Sequence, residues 1–478
     1  MQVTEKQGGT YVNGAWRNIG SRQEVKNPAT GEVIDHISFV PKETVQEAID
    51  GAHDAFQNWS KTTSSERAKR LRTWYQLIMQ HRREIAEQIT LEMGKPFKEA
   101  KGEVIYGASF IEWYAEEAKR IYGETIPASH PDKRLMVLKQ PVGVVAAITP
   151  WNFPAAMITR KIAPALAAGC TVVIKPSEET PLTAIKLVEL AHEAGFPPGV
   201  IQLVQSEPAA FSEVCMQDQR VRKITFTGST EVGRHLMRQS ADQVKKVSLE
   251  LGGHAPIIVL DDADIDKAVQ GVIASKYRNA GQTCVCGNRI YVQEGIYDAF
   301  VARFVEQVQT LKVGDGMDEN TDLGPLINVQ AYEKVERHVQ DALNKGANLV
   351  CGGQGVQEKG VYFYEPTVLT DVTADMQVMQ EETFGPVAPV QKIKSEEEAI
   401  QRANQTNYGL AAYFFTESMS KGTRLMEALE YGIVGWNDGV PAVAQAPFGG
   451  WKESGLEREG GHQGLESFLE TKYVSVQL

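Results

Sequence analysis

The sequence predicts an α/β protein built from two doubly wound parallel sheets and a small β segment. Short apolar runs, which read as strands, lie at 142–148, 171–175, 200–204 and 224–226. Helical patterns separate these runs and span 154–169, 181–195, 207–218 and 229–239. Strands that alternate with helices pair in parallel, and ligands then bind at the carboxyl ends of the strands. A second alternation opens with a strand at 256–260 and a helix from 264 to about 280, and it ends near 436.

The residues that precede these strands form an entry segment and a set of helices. Short β-type runs between 11 and 37 are joined by Asn-Gly and Pro-Ala-Thr-Gly turns. From 42 to 59 apolar residues recur at intervals of three and four, which predicts an amphipathic helix. Helical patterns continue over 64–93 and 97–122, and a Gly-Lys-Pro turn separates them. We expect these helices to be scaffold.

Two further segments stand outside the alternation. Between 124 and 142 the helical period disappears and prolines flank a short extended pair, an excursion that suits subunit contact. The segment 437–465 is rich in Gly and Pro and predicts a loop, and LETKYVSVQL at the carboxyl terminus predicts a final strand. The excursion and the final strand together suit a homodimer or a homotetramer.

Composition narrows the class of partner. The 478 residues are 42% hydrophobic, 23% charged and carry a net charge of −12 without a dense Lys/Arg block, which disfavours nucleic acid and anionic membranes as partners. No apolar run approaches the roughly 18 residues of a membrane span. Five scattered cysteines and a polar amino terminus favour the cytoplasm. The expected partner is therefore a small molecule.

One cysteine stands in a context that favours chemistry. Cys284 lies in RNAGQTCVC, among small and polar residues between a helical run and the apolar IYV at 290–292, which predicts an exposed bend. A nucleophilic thiol would need surroundings that favour the anion, because a free cysteine has a pKa of about 8.5. The alternative is a small buried hydrophobic residue, the commoner fate of a free cysteine. This stretch alone leaves both interpretations open.

Other polar residues lie where predicted strands turn into helices. Asn152 in TPWNFP either donates its amide to an oxyanion or caps the next helix. Lys175 and Glu178 in KPSE either bind the hydroxyls of a ribose or form a solvated loop. The stretch ITFTGSTEVG forms a phosphate-binding turn, but Arg234 and His235 replace the Lys and Ser/Thr of a P-loop, which disfavours hydrolysis of a nucleoside triphosphate.

Two carboxylates complete the set. Glu250 ends an apolar strand before a double glycine, where burial should raise its pKa and suit it to act as a general base; a paired structural carboxylate is the alternative. Glu382 in EETFGP likewise stands beside an apolar residue, Phe384, and a Gly-Pro turn, and it could hold a ribose. The chain has no HExxH motif, paired CxxC motifs or GxSxG motif, so zinc and serine hydrolysis have no support and we expect no metal.

Six of these motifs together carry a resemblance. PWNFP, KPSE, FTGSTEVG, LELGG, GQTC and EETFGP, in this order and at this spread, resemble the aldehyde dehydrogenase superfamily over nearly the entire chain. Within it, GQTCVC, ITRKIAPALAAG and APFGG…SGL…EG look most like the succinate-semialdehyde dehydrogenase group. The resemblance implies an aldehyde dehydrogenase-like α/β fold and NAD(P)-dependent oxidation of an aldehyde to the acid.

The resemblance also implies a mechanism. Cys284 attacks the aldehyde, the Asn152 side chain and the Cys284 N–H hold the oxyanion, and hydride passes to the nicotinamide. Glu250 then activates the water that hydrolyses the thioester. Release of the thioester to coenzyme A or phosphate is a rival reaction, which the base Glu250 disfavours. A non-catalytic relative that retains the fold is a third reading, disfavoured because Cys284, Asn152 and Glu250 are all present.

The family pattern assigns cofactor contacts to nine residues, namely Trp151, Lys175, Ser177, Glu178, Gly228, Ser229, Leu251, Glu382 and Phe384. Glu178 would repel a 2′-phosphate by roughly 4 kcal/mol at about 4 Å and a surface-like dielectric. We therefore expect NAD to be preferred over NADP, with NADP as the alternative cofactor.

Two arginines and a second cysteine bear on substrate and regulation. Arg160 and Arg278 lie where the succinate-semialdehyde group binds the substrate carboxylate, although structural ion pairs are the rival role. Ala442 and Val443 replace an expected serine, which leaves glutarate semialdehyde or another aldehyde such as betaine aldehyde as alternatives. Cys286 could form a strained, reducible disulfide with Cys284, or it could simply be packing.

The domain limits that follow are expectations of the same kind. Residues 1–123 and 143–253 form the dinucleotide-binding domain, and 254–440 form the catalytic domain that carries the cysteine. Residues 124–142 and 466–478 form an oligomerisation arm. Residues 441–465 form a loop segment that returns toward the active site.

Overall fold

The computed structural model describes residues 9–478, and its largest sheet has parallel strands at its centre. The eight strands of this first sheet lie in the order Ala15–Arg17, Thr10–Val12, Ile201–Leu203, Thr171–Lys175, Val144–Ile148, Val221–Thr227, Lys246–Glu250 and Gly455–Leu456. The five strands from Ile201–Leu203 to Lys246–Glu250 are mutually parallel. Runs of Val, Ile and Ala residues, buried on both faces of the sheet, are typical of such parallel strands.

Helices cover this sheet as the alternation predicts. They are Ala156–Ala168, Pro181–Glu193, Pro208–Gln217 and Thr230–Ser240, the last followed by the 3₁₀ turn Ala241–Gln243. Proline at the first position begins two of them, where its missing N–H costs nothing. The prediction of a doubly wound α/β sheet is confirmed for this part of the chain.

The amino-terminal helices pack on the same sheet. The helix Lys42–Trp59 has the predicted bounds. The prediction of one helix over 64–93 is wrong, because the chain forms Ser64–Gln80 and Arg82–Met93 with a break at His81, whose φ of −93° and ψ of 12° leave the helical range. The next helix, Phe97–Glu117, is shorter than predicted and continues as the 3₁₀ turn Ala118–Arg120.

A second α/β sheet follows the first along the chain. Its seven strands lie in the order Asn348–Cys351, Thr367–Thr370, Val387–Ile393, Gly287–Gln293, Ala255–Val259, Ala411–Phe415 and Ile433–Trp436. All neighbours are parallel except the edge strand Asn348–Cys351. Its helices are Ile265–Lys276, Tyr297–Val308, Val329–Asn344, Gln377–Gln380, Glu396–Asn404 and Met419–Ala428, with 3₁₀ turns at Arg278–Gly281 and Gln357–Lys359.

Smaller antiparallel pairs connect and extend the two sheets. Leu469–Gln477 pairs with Lys133–Pro141, which also pairs with Glu124–Ile126, and Ser21–Lys26 forms a hairpin with Val33–Phe39. Tyr408–Gly409 pairs with Trp451–Lys452, and the short helix Gln463–Glu466 precedes the last strand. Across residues 9–478, no helix is both long and apolar enough to cross a membrane.

The segment 441–465 returns to the edge of the first sheet. Its strand Gly455–Leu456 pairs antiparallel with Lys246–Glu250, and Leu251 N–H donates to Ser454 O at 2.9 Å. Glu250 ends the strand that receives this pairing. The site therefore lies where the first sheet, the second sheet and this segment meet.

Candidate active site

A strained turn presents Cys284. After the helix Ile265–Lys276 the chain passes through Asn279 and Ala280 with φ of 53° and 52°, a left-handed conformation that side chains rarely adopt. Gly281 follows with φ of 74°, and a Cβ there would lie 2.1 Å from Gly385 O. Only glycine fits at that position. The predicted helix to about 280 therefore ends early, at a turn built for close approach.

Cys284 lines a cavity of about 310 Å³. Much of its wall is apolar or aromatic, from Tyr106, Phe153, Met157, Val285, Val440, Ala442 and Phe448. Arg160 and Arg278 line the same cavity. The carboxylates of Glu99 and Glu103 line it as well, and a cavity of this size suits a small organic molecule.

The Cys284 thiol is partly exposed within the cavity. Burial raises its pKa to about 12, and the charge of Arg160 acts in the opposite direction. The thiol is therefore mostly protonated at neutral pH in this form of the protein. Nucleophilic use requires an added positive charge or a proton acceptor.

Asn152 lies between the strand Val144–Ile148 and the helix Ala156–Ala168. Its Nδ2 donates to Gln282 O at 3.1 Å, in the turn that carries Cys284. The alternative reading as a helix N-cap is wrong, because the helix begins at Ala156 and its free N–H groups turn to Glu103 instead. The Asn152 amide therefore does not cap the helix, and it lies next to the turn that carries Cys284.

Glu250 is 2% exposed, and neither carboxylate oxygen has a hydrogen-bond partner among the described residues. Burial raises its pKa well above the ordinary range, and the charge of Glu459 raises it further. A Cβ on Gly449 would lie 2.8 Å from Glu250 Oε1, so the segment 441–465 packs directly on the carboxylate. Such a carboxyl group has the elevated pKa of a general base.

The two arginines of the cavity differ in their partners. Arg160 forms an ion pair with Glu459, which also pairs with Lys161, and its guanidinium carbon lies 4.1 Å from the Phe448 ring centroid. Arg278 lies 5.3 Å from the Phe153 ring centroid and forms no ion pair with any residue in 9–478. Arg278 is therefore the cation of the cavity with the more available charge.

Several predicted cofactor residues lie at the carboxyl end of the first sheet. Lys175 ends its strand and donates to Glu178 Oε2 at 3.1 Å and to Pro176 O at 3.0 Å. Ser177 Oγ accepts from Glu179 N–H at 3.3 Å. Ser229 caps the helix Thr230–Ser240, whose amino terminus suits a phosphate.

Close backbone approaches shape the same region. Gly228 N–H donates to Glu250 O at 3.0 Å, which ties the phosphate turn to the strand of the base. A Cβ on Gly233 would lie 2.3 Å from Leu251 Cδ2, so the helix packs tightly on the residue after Glu250. This arrangement has the shape of a dinucleotide site.

The remaining cofactor residues come from both sheets: Trp151 follows the strand Val144–Ile148 of the first, and Glu382 and Phe384 precede the strand Val387–Ile393 of the second. Trp151 and Phe384 meet edge to face with ring centroids 5.7 Å apart. Glu382 Oε1 accepts from Gly253 N–H at 2.8 Å, and burial raises its pKa to about 7. These contacts bring residues of both sheets to one cleft, and the set fits a nicotinamide dinucleotide.

Cys286 is 1% exposed and lies deeper than Cys284. Its thiol donates to Gly281 O at 3.2 Å, and its sulfur lies 3.6 Å from Lys276 Nζ. Burial raises its pKa. The thiol is thus engaged by neighbours within its own turn.

Sequence reasoning missed the counter-ion Glu459 and the wall residues Tyr106 and Phe448. Glu459 lies in the Gly-rich segment REGG, where an acidic residue normally indicates a solvated loop, yet it is 5% exposed. Its role becomes visible only when the segment is seen to fold back on the helix of Arg160. Tyr106 carries no signal at all, because it belongs to an ordinary helical pattern.

The fold and the site define a dinucleotide-dependent oxidoreductase. Residues 16–474 match the sequence profile of the Aldehyde dehydrogenase family, and the chain belongs to that family. It is accordingly an NAD(P)-dependent oxidoreductase of aldehydes.

Individual relatives are similar over almost their full lengths. The chain is 56% identical over 465 residues to the mitochondrial succinate-semialdehyde dehydrogenase of Oryza sativa subsp. japonica, covering 97% of this chain and 88% of that protein. It is 53% identical over 470 residues to the glutarate-semialdehyde dehydrogenase of Pseudomonas putida, covering 98% and 97%. A crystal structure described as an E. coli NADP dependent enzyme superposes with a TM-score of 0.97 at 53% identity, covering 99% of this chain and 98% of that one.

Proposed function

We propose that the protein oxidises succinate semialdehyde to succinate. The observation that carries this proposal is that Cys284 and the unpaired Arg278 line one cavity of about 310 Å³. A guanidinium that has no carboxylate partner is suited to bind the distal carboxylate of a short aldehyde acid. The names of several similar proteins, including the rice relative, support the same substrate.

Each residue has a separate task in the proposed reaction. The Cys284 thiol loses its proton to solvent and its sulfur attacks the carbonyl carbon, while Asn152 Nδ2 and the Cys284 N–H donate to the developing oxyanion. A bound nicotinamide dinucleotide supplies the hydride acceptor. Glu250 takes a proton from the water that cleaves the thioester, which releases the acid and restores the thiol.

Glutarate semialdehyde is the second candidate substrate. Ala442 and Val440 are cavity wall residues without a polar group, so this side of the cavity offers room rather than a hydrogen bond. The Pseudomonas putida relative carries the name of that activity. One further methylene in the substrate is worth only about 1–3 kcal/mol of discrimination, so both acids can be turned over.

The proposed cofactor is NAD in preference to NADP. The Glu178 carboxylate is held by Lys175 at 3.1 Å, beside the position of a ribose in such a site. A 2′-phosphate would meet this carboxylate and would find Lys175 already paired. The E. coli structure described as an NADP dependent enzyme marks the alternative.

The proposal extends to the domain limits, the assembly and the location of the protein. The domains are 1–123 with 143–253 for the dinucleotide and 254–440 for catalysis, and the arm of 124–142 with 466–478 mediates a homodimer or homotetramer. The strand Leu469–Gln477 leaves one edge of a three-stranded sheet open, which supports contact with a second copy. A cytoplasmic location is supported by five cysteines that are all free thiols.

The test is a comparison of kcat/KM for succinate semialdehyde, glutarate semialdehyde, betaine aldehyde and an uncharged aliphatic aldehyde, each with NAD and NADP. We expect the two acids to lead. Cys284→Ser should abolish turnover, and coenzyme A should not change the product. Equal rates with the uncharged aldehyde would contradict the carboxylate-binding role of Arg278.

A further inference from the structure

A buried ion pair lies beneath the loop of Asn152. Lys95 lies in the turn after the helix Arg82–Met93, and Glu103 lies on the helix Phe97–Glu117. Their side chains are in direct contact and each is 1% exposed. A buried ion pair gains little stability over apolar residues of the same volume, because both charges lose their hydration. Its position therefore calls for a role other than stability.

The pair holds consecutive residues of the strand-to-helix connection. Lys95 Nζ donates to Asn152 O at 2.8 Å and lies 3.8 Å from the Phe153 ring centroid. Glu103 Oε1 accepts from the N–H groups of Ala155 at 2.9 Å and Ala156 at 3.4 Å. The two charges thus anchor the backbone at the Asn152 carbonyl and again at Ala155 and Ala156, where the helix begins.

The same backbone oxygen links this pair to the nucleophile turn. Asn279 Nδ2 donates to Asn152 O at 3.1 Å and also to Gln282 O at 3.1 Å. Asn152 Nδ2 donates to that same Gln282 carbonyl at 3.1 Å. Asn152 O is therefore held by Lys95 from one element and by Asn279 from the turn that presents the cysteine.

We propose that Lys95 and Glu103 are positioning residues that set the location of the Asn152 amide relative to Cys284. This inference rests on the proposed role of Asn152 as oxyanion donor. Such a donor works only when its geometry is set before the reaction, and a displacement of about 1 Å can cost roughly 100-fold in rate. Neither Lys95 nor Glu103 needs to touch the substrate for this effect.

The test removes both charges together. Lys95→Met alone would leave Glu103 buried without a counter-ion and could prevent folding. In Lys95→Met/Glu103→Gln no charge is stranded, and the glutamine oxygen can still accept from Ala155. We expect kcat for succinate semialdehyde to fall roughly 10- to 100-fold, while the dissociation constant of NAD stays within about twofold of wild type.

A cycle with Asn152→Ala separates positioning from general structural damage. If the pair acts through the Asn152 amide, the loss of kcat caused by the pair variant disappears in the Asn152→Ala background. If the pair only supports the fold, both backgrounds lose kcat by the same factor, and the inference is overturned. Lys223→Met is the matched control, since Lys223 is 1% exposed, bonds Ser248 Oγ and lies outside the cavity.

The outcomes distinguish this inference from the proposed function. Absence of aldehyde oxidation by the wild-type enzyme, or full kcat in Asn152→Ala, defeats the proposed mechanism. Wild-type kcat in the pair variant together with a slow Asn152→Ala enzyme defeats only the positioning role. If the pair variant does not fold, Glu103→Asp, which keeps the charge but withdraws the acceptor by one methylene, is taken through the same cycle and is read by the same criterion.

Discussion

Replacing Glu178 by serine should shift the cofactor preference toward NADP. A 2′-phosphate about 4 Å from the carboxylate would be repelled by about 4 kcal/mol at a dielectric of about 20 and by about 1 kcal/mol in water. The Glu178 side chain is 48% exposed and pairs with Lys175, so the lower part of this range applies. A change of about 1 to 2 kcal/mol corresponds to roughly 5- to 30-fold.

The assay is the initial rate of NADH or NADPH formation at saturating aldehyde across a series of cofactor concentrations. In Glu178→Ser, the ratio of kcat/KM for NADP to kcat/KM for NAD should rise by at least roughly 5-fold. Lys175 is then also free to pair with the 2′-phosphate, which adds to the change. Glu193→Gln, an exposed acidic residue at the end of the next helix, is the control and should leave the ratio unchanged. An unchanged ratio in Glu178→Ser would refute the electrostatic argument.

Three further predictions follow from the site. The Glu250 carboxyl must be ionised to act as a base and its pKa is raised, so the rate of hydrolysis should increase with pH, with a midpoint well above the usual carboxyl range. Glu459→Gln removes a negative charge that raises this pKa and should move the midpoint to lower pH. An unchanged midpoint would contradict the electrostatic coupling of Glu459 to Glu250. Arg278→Ala should raise KM for succinate semialdehyde by roughly 10- to 100-fold, as expected for the loss of a charge-assisted bond of about 1.5–3 kcal/mol, and should leave KM for an uncharged aldehyde unchanged. Mild peroxide should link Cys284 to Cys286, visible as a peptide two hydrogens lighter that Cys286→Ser lacks; no such peptide would mean that Cys286 is packing.

Periodicity predicted those elements whose structure is decided locally. The helix Lys42–Trp59 follows from its apolar spacing, and the strands of the first sheet follow from short apolar runs between turns. The break at His81 could not be predicted because no glycine or proline marks it, and only the backbone angles of His81 reveal it. The left-handed conformation of Asn279 and Ala280 was not predicted either; the Asn279 N–H donates to Glu99 Oε2 at 2.8 Å, a contact from a distant helix that no local pattern reveals.

The site divides in the same way. Cys284, Asn152 and Glu250 lie in short sequence motifs, and the motifs taken together allow these three residues to be predicted as site residues. Ion pairs across long separations, such as Arg160 with Glu459, depend on how the segment 441–465 returns to the first sheet. No spacing rule reaches across that distance, so the difference between a paired Arg160 and an unpaired Arg278 could come only from the structure.

The pairing of Lys133–Pro141 with Leu469–Gln477 cannot form until the later strand has been synthesised. At about 5–20 residues per second, the earlier strand waits roughly 15 to 65 s for its partner to be synthesised. During that time one edge stays open to mispairing with other nascent chains. Lys133, Arg134 and Lys139 lie on this strand, and charged side chains on an open strand disfavour its pairing with a second copy.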